Sequence, residues 1–98
     1  CELRRNRIRS GCMDELLRAW VDQVPHLRRQ FGFELVGAWI VDDSDEFIWI
    51  LGYDGPGGFE AADTRYYNSS ERAALNPDPA QWFESSTAVR IRPILPGV

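Results

Sequence analysis

The stretch FELVGAWIVDDSDEFIWILGY, residues 33–53, decides the fold of this chain. Two segments rich in β-branched and aromatic residues, 33–42 and 46–53, are separated by a short polar sequence that ends at Asp45. This pattern predicts an antiparallel β-hairpin. With the turn centred near Ser44, Trp39 is predicted to pair with Trp49.

Strict alternation along the hairpin places apolar side chains on both of its faces. One face carries Phe33, Leu35, Trp39, Val41, Phe47, Trp49, Leu51 and Tyr53, and the other carries Val36, Ala38, Ile40, Ile48 and Ile50. An antiparallel sheet with one face in water normally alternates apolar with polar residues, so this hairpin must be covered on both sides. Two short helices can cover one face only. We therefore expect a homodimer in which two sheets pack face to face.

The rest of the chain supplies the other elements of one small domain. The predicted segments are a strand at residues 2–9, a helix at 13–31, a helix at 59–67, a capped extra turn at 69–75 and a strand at 86–94. Pro25 lies inside the first helical pattern, so a kink or a local break is predicted near it. The order of strands and helices predicts an α+β fold of the ferredoxin-like βαββαβ type, with the first and third strands central.

Composition limits the chemistry that this chain can carry. Its 98 residues, of which 44% are hydrophobic, predict a single domain over residues 1–98. The formal charge of −4 argues against nucleic-acid binding. All 11 basic residues are Arg, which excludes a Schiff-base lysine and a phosphate-loop lysine, and the single His excludes a multi-histidine metal site. We predict no metal and no cofactor.

Location is predicted from what the sequence lacks. No apolar run approaches the roughly 20 residues that span a bilayer, so no membrane association is expected. Cys1 and Cys12 are too few for a disulfide framework, and the first residues lack the apolar stretch of a secretory signal. These features predict a cytoplasmic protein.

A candidate site follows from the charged residues of the predicted sheet and second helix. The central first strand carries Arg4, and the second helix places Asp63 on the same arc as Tyr66. A carboxylate beside a phenol and a guanidinium could act as general base, with the phenol as donor and the arginine stabilising an oxyanion. Alternatively, Asp63 pairs with an arginine of the first or last strand and holds the helix on the sheet. The sequence is compatible with both arrangements.

Several segments, in this order, resemble those of a known family. They are Glu2-Leu3-Arg4-Arg5, Met13-Asp14-Glu15-Leu16-Leu17, Gly37-Ala38-Trp39, Asp45-Glu46-Phe47-Ile48-Trp49, Phe59-Glu60-Ala61-Ala62-Asp63 and Tyr66-Tyr67-Asn68-Ser69-Ser70-Glu71-Arg72. Over nearly its whole length the chain is similar to bacterial single-domain NIPSNAP-family proteins. The resemblance implies a dimeric α/β-barrel built from two ferredoxin-like protomers. Where the family pattern ELRxY has an aromatic residue, this chain has Asn6.

The resemblance also implies a range of activities. The wider superfamily includes antibiotic-biosynthesis monooxygenases, isomerases, cyclases and some haem-binding enzymes, and its monooxygenase-like members have a pocket between the helices and the sheet. One hypothesis is therefore a cofactor-independent enzyme that isomerises, cyclises or oxygenates a hydrophobic or aromatic metabolite, such as one of secondary metabolism. The other is a non-catalytic homodimer that binds a ligand or scaffolds a partner. The catalytic candidates are Asp63, Tyr66 and Arg4, and the ligand-binding candidates are Asn6, Trp39, Trp49, Tyr53, Tyr67 and Arg90.

Overall fold

The computed structural model describes residues 1–95, so the last three residues of the predicted domain lie outside the described part. The elements are β1 (Glu2–Ile8), α1 (Met13–Gln30), β2 (Glu34–Ile40), β3 (Glu46–Gly52), α2 (Gly58–Tyr67), α3 (Ser70–Ala73), a 3-10 helix (Pro79–Trp82) and β4 (Phe83–Arg90). The four strands form one antiparallel sheet in the order β2-β3-β1-β4. The predicted ferredoxin-like α+β fold is confirmed.

The first helix is continuous through its proline. Helix α1 runs from Met13 to Gln30 with Pro25 inside it, so the predicted local break is absent. Pro25 removes the hydrogen bond that would reach the carbonyl of Val21. Val21 is 57% exposed, so this carbonyl lies on the solvent side of the helix, where water can satisfy it.

The helices cover one face of the sheet, which we call the inner face. The core joins residues of α1 and α2 to inner-face residues of the central strands. Its buried members are Ile8, Leu16, Trp20, Val24, Leu27, Phe33, Phe47, Trp49, Leu51, Phe59, Ala62 and Tyr66. Trp20 makes edge-to-face contacts with Phe47 and Trp49, at 5.0 and 5.4 Å between ring centroids. These contacts fix α1 above the middle of the sheet.

A register shift in β2 overturns the predicted Trp39–Trp49 pair. The pairing with β3 is interrupted between Leu35 and Gly37, and beyond this bulge Ala38 pairs with Trp49 while Trp39 pairs with Ile48. One extra residue on a strand moves every following side chain to the other face. Trp39 therefore lies on the opposite side from the core and is 50% exposed. Its ring covers Gly37, where a Cβ atom would lie 2.7 Å from it.

The opposite side of the sheet, which we call the open face, carries no helix of residues 1–95. At its centre lie the partly buried Leu3, Ile48 and Ile50, flanked by Trp39 and by Val89, which is 54% exposed. The hairpin is therefore apolar on both sides, as the sequence predicts.

The last strand begins earlier than predicted. β4 spans Phe83–Arg90 rather than residues 86–94. The 3-10 helix before it is capped by the Asp78 carboxylate, which accepts from the Ala80 amide at 2.9 Å, and it brings the chain directly to the sheet at Phe83. The predicted cap of α3 is confirmed, because the Ser69 hydroxyl accepts from the Arg72 amide at 3.0 Å. Among residues 1–95, no helix is both long and apolar enough to cross a membrane.

Candidate functional site

The Asp63 carboxylate joins three elements. One oxygen accepts a hydrogen bond from Arg4 of β1 at 2.9 Å, and the other accepts from Arg28 of α1 at 2.8 Å. The Asp63 side chain is 22% exposed, whereas that of Arg28 is fully buried. The pairing predicted with an arginine of the first strand is present, and a second pair with α1 accompanies it. Asp63 thus ties α2 to both the sheet and the first helix.

Tyr67, at the end of α2, is surrounded by positive charge. Its hydroxyl oxygen accepts from Arg4 at 2.8 Å and from Arg28 at 3.2 Å. The guanidinium carbons of Arg4, Arg28 and Arg72 lie 5.7, 5.1 and 5.7 Å from the centre of its ring. With both lone pairs of the oxygen used, the Tyr67 O–H proton has no acceptor among residues 1–95 and is free to be donated.

An open cavity of about 290 Å³ lies beside Tyr67. We call it the Tyr67 cavity; it lies between the inner face of β1 and β4 and the end of α2. Its lining residues are Arg4, Asn6, Trp49, Tyr67, Arg72, Ala80, Phe83, Ser86, Thr87 and Ala88. The lining combines aromatic rings with two guanidiniums and includes no carboxylate. A cavity of this kind suits an aromatic ligand that carries an electron-rich oxygen.

Asn6, the position that departs from the family pattern, forms the floor of the cavity. It is 3% exposed, accepts from the Trp49 indole at 2.8 Å and donates to the Ser86 hydroxyl at 2.7 Å. The amide thereby satisfies a buried indole N–H and fixes the orientation of the Trp49 ring. The tyrosine of the family pattern would carry its side-chain acceptor at the far end of the ring, farther from the strand than the Asn6 amide oxygen.

The structure brings together only some of the residues that the sequence singled out. Arg4, Asn6, Trp49 and Tyr67 line the Tyr67 cavity, and Asp63 lies directly behind Arg4.

The other four candidates lie elsewhere. Tyr66 points into a smaller neighbouring space. Trp39 lies on the open face. Tyr53 packs on Phe33 and donates to the Pro56 carbonyl at 3.0 Å. Arg90 lies with its guanidinium 4.4 Å from the ring centre of Phe59 and contacts Glu2 at 3.2 Å.

Sequence reasoning missed the two arginines that complete the site. Arg28 lies on the buried arc of α1, four residues after Val24 and eight after Trp20. A charged residue at an apolar step is the signal that could have identified it. Arg72 follows the serine cap of α3, and only the fold shows that its guanidinium turns toward Tyr67.

Burial and charge set the protonation of the site. Burial raises the pKa of Tyr66, although Arg28 and Arg72 act in the opposite direction, so its hydroxyl is protonated at neutral pH. Burial alone would lower the pKa of Arg4, but Tyr67, Asp63 and the hydrogen bonds that Arg4 donates raise it overall. Arg4 is therefore a permanent cation. Within residues 1–95, no three potential metal-ligating side chains cluster.

The fold is shared with proteins of known structure. A NIPSNAP domain protein from Burkholderia xenovorans is 23% identical, with a TM-score of 0.80 over 94% of this chain and 91% of that one. A NIPSNAP family protein from Agrobacterium tumefaciens is 22% identical, with a TM-score of 0.82 over 94% and 90%. An antibiotic biosynthesis monooxygenase is 14% identical, with a TM-score of 0.67 over 96% and 97%.

At these identities the likeness shows the fold, and at that level it confirms the resemblance to NIPSNAP-family proteins. No protein-family model matches the chain. No curated protein matches it.

Proposed function

We propose that this protein, which shares its fold with NIPSNAP-family proteins, binds a small aromatic molecule in the Tyr67 cavity through an acidic hydroxyl or carbonyl oxygen. The observation that carries the proposal is the Tyr67 hydroxyl, which accepts from Arg4 and Arg28 and so directs its own proton elsewhere. The ligand's oxygen would accept that proton, and its ring would lie against Trp49 and Phe83.

Electrostatics favour the anionic form of such an oxygen. The cavity wall presents the guanidiniums of Arg4 and Arg72 and no carboxylate. Donors held in place by buried partners stabilise developing negative charge more strongly than water does, because they do not reorient. Bound phenols or enols would therefore ionise at a lower pH than they do in water.

The finer proposal is a cofactor-independent enzyme of isomerase, cyclase or monooxygenase type acting on a hydrophobic or aromatic metabolite. In this scheme the substrate loses an acidic proton to water in the open cavity, and Tyr67 with Arg4 stabilises the resulting enolate or phenolate; an oxygenation would also consume molecular oxygen as the oxidant. Asp63 acts either as the base in place of that water or as the residue that positions both arginines. Its two oxygens are each bonded to a guanidinium, which supports the positioning role.

A second candidate, a non-catalytic ligand-binding protein, is favoured by the same lining. The side chains of the Tyr67 cavity include no carboxylate and no histidine that could act as a general base. Binding and stabilisation of an anionic ligand need no base.

Two hydroxyl variants test the binding proposal. Titration calorimetry with naphthols and hydroxyquinones, each beside its methyl ether, measures whether the free hydroxyl matters. We expect the wild type to prefer the hydroxyl form by about tenfold, the size of one hydrogen bond to a charge-assisted group, and Tyr67→Phe to lose this preference. Tyr53→Phe is the matched control, since its hydroxyl lies outside the cavity. Equal binding of ethers and hydroxyl forms by the wild type would contradict the proposal.

Catalysis is tested on the ligands that bind. Incubation with chelator present and product analysis by mass spectrometry separates the two candidates. Turnover that Tyr67→Phe abolishes and Tyr53→Phe retains supports an enzyme. Tight binding with unchanged ligand after long incubation supports the non-catalytic alternative.

We also propose that a second copy of the chain covers the open face. That face places Trp39 and Val89, each about half exposed, around the partly buried Leu3, Ile48 and Ile50. Exposed apolar patches of this kind mark interaction surfaces, and a two-fold arrangement would set apolar side chains against apolar side chains.

Cys1 and Cys12 are both free thiols. A cytoplasmic location and a role in secondary metabolism stay predictions.

A further inference from the structure

A small, partly open space adjoins the Tyr67 cavity, with which it shares Trp49, Tyr67, Arg72 and Phe83. We call it the Tyr66 chamber; its volume is about 20 Å³. Its lining residues are Trp20, Val24, Arg28, Trp49, Tyr66, Tyr67, Arg72, Pro79 and Phe83. A space of this size holds one particle about as large as a water molecule.

Two polar groups in this lining have no hydrogen-bond partner among residues 1–95. They are the Tyr66 hydroxyl and the Arg28 Nε–H. Tyr66 is 1% exposed and Arg28 is 0% exposed, so bulk water reaches neither. Buried polar groups are nearly always hydrogen-bonded, and an orphaned donor on a charged group is especially costly. The chamber therefore calls for an occupant that accepts hydrogen bonds.

The charge of the lining favours an anion over a water molecule. Arg28 and Arg72 both line the chamber, and no carboxylate does. Asp63 is occupied by Arg4 and Arg28, and Asp78, the partner of Arg72 at 3.2 Å, is half exposed. Each guanidinium therefore pairs with a carboxylate outside the lining, and the lining itself presents positive charge alone.

The donors and acceptors of the lining side chains also favour an anion over a water molecule. A water molecule that accepts from Tyr66 and Arg28 must also place its own two hydrogens on acceptors. The only side-chain oxygens in the lining are the two phenols, and that of Tyr67 already accepts two hydrogen bonds. An anion needs donors alone, which is what this lining offers.

We propose that the Tyr66 chamber is a binding site for one small monovalent anion, such as chloride, held by the Tyr66 hydroxyl, the Arg28 Nε–H and the Arg72 guanidinium. The site goes beyond the proposed small-molecule function, because the ion can occupy the chamber while the Tyr67 cavity is empty. A bound anion would also screen Arg28 from Arg72 and hold the end of α2 against the 3-10 helix.

The test compares the full chain in chloride and in gluconate at matched ionic strength. Chloride is small enough to enter the chamber and gluconate is not, so we expect chloride to raise the unfolding temperature of the wild type. Tyr66→Phe keeps the ring and removes the hydroxyl, and it should raise the chloride dissociation constant about tenfold. Tyr53→Phe is the control and should respond to chloride as the wild type does.

The order of stability of the wild type and Tyr66→Phe should reverse between gluconate and chloride, and a general effect of the substitution on the core would not produce this reversal. In gluconate, Tyr66→Phe should be at least as stable as the wild type, because it deletes a hydroxyl that has no partner. In chloride, the wild type should be the more stable of the two. Equal chloride responses of wild type, Tyr66→Phe and Tyr53→Phe would overturn the proposal.

Crystals grown in bromide give a direct readout. Anomalous scattering between Tyr66 and Arg72 supports the site. A chamber that contains water or nothing in bromide overturns it, whatever the ligand titrations of the Tyr67 cavity show. Arg72→Gln is a second variant, expected to weaken the anomalous signal if the chamber folds as described.

Discussion

Replacement of Asp63 by Asn removes one negative charge from between two guanidiniums while the size of the side chain is kept. Asp63 accepts from Arg4 at 2.9 Å and from Arg28 at 2.8 Å, and Arg28 is fully buried. The Asn amide offers one oxygen and one NH₂, so its NH₂ must face the donors of one arginine. An NH₂ that faces Arg28 leaves this buried charge with Tyr67 as its remaining hydrogen-bond acceptor, and one that faces Arg4 leaves Arg4 with Glu2 and Tyr67.

The loss of stability expected for Asp63→Asn follows from the burial of Arg28. Breaking a buried ion pair by removing one partner costs about 3–5 kcal/mol. Asp63 itself is 22% exposed, which places the expected loss of unfolding free energy at the lower end, about 3 kcal/mol. For a domain of this length each kcal/mol corresponds to about 4–8 °C, so the unfolding temperature should fall by about 12–24 °C.

Glu60→Gln on the same helix is the matched control. Its side chain is 94% exposed and lies 3.9 Å from Arg90, so its removal should leave stability unchanged. Urea unfolding at pH 7 and one protein concentration, followed by circular dichroism, measures both variants. If Asp63→Asn unfolds at the same urea concentration as Glu60→Gln, the positioning role of Asp63 is refuted. Retained stability together with lost turnover would instead identify Asp63 as a catalytic base.

Three further predictions concern the cavity floor, the open face and the buried phenol. Asn6→Val should cost about 1–3 kcal/mol in chemical unfolding, because the Trp49 indole N–H loses its buried acceptor; an unchanged midpoint would contradict this. Trp39→Glu puts a charge on the open face and should reduce the sedimentation mass from a dimer's to about 11.2 kDa; a wild type that already sediments as a monomer would refute the dimer. Burial raises the pKa of Tyr66, so its contribution to stability is present below the unfolded pKa of about 10 and is lost as the pH rises through the folded value. Alkaline unfolding should therefore be less steep in Tyr66→Phe than in the wild type, and identical profiles would argue against a buried phenol.

Local patterns were enough to predict the architecture. The apolar steps of α1 and the two β-rich segments around Ser44 fix which elements form, and their order leaves few topologies. The register of β2 could not be obtained in this way, because period-2 alternation assumes that no residue is inserted. Gly37 was the available signal, since an isolated glycine in a strand is typical of a bulge.

The site was only partly predictable for a different reason. Arg4 and Asp63 are 59 residues apart, and their pairing follows once α2 is placed against the inner face of the sheet at β1. The role of Arg28 was not predicted from the sequence, because a charged residue near the end of a helix is ordinarily solvated. Its burial depends on Asp63 and Tyr67 arriving from α2 to compensate the charge, and such compensation is a property of the folded chain.

The bulge in β2 shows that the face of the sheet on which Trp39 lies depends on a single codon. Deletion of Val36 would only straighten the ladder, because Trp39 would stay opposite Ile48 on the bare side of the sheet. Deletion of Ala38, beyond the bulge, would instead bring the Trp39 indole opposite Trp49, into the layer beneath α1, and strip a large ring from the surface available for self-association. A one-residue deletion here would therefore be expected to overfill the interior and weaken assembly together, whereas substitutions at either tryptophan would affect only one of the two.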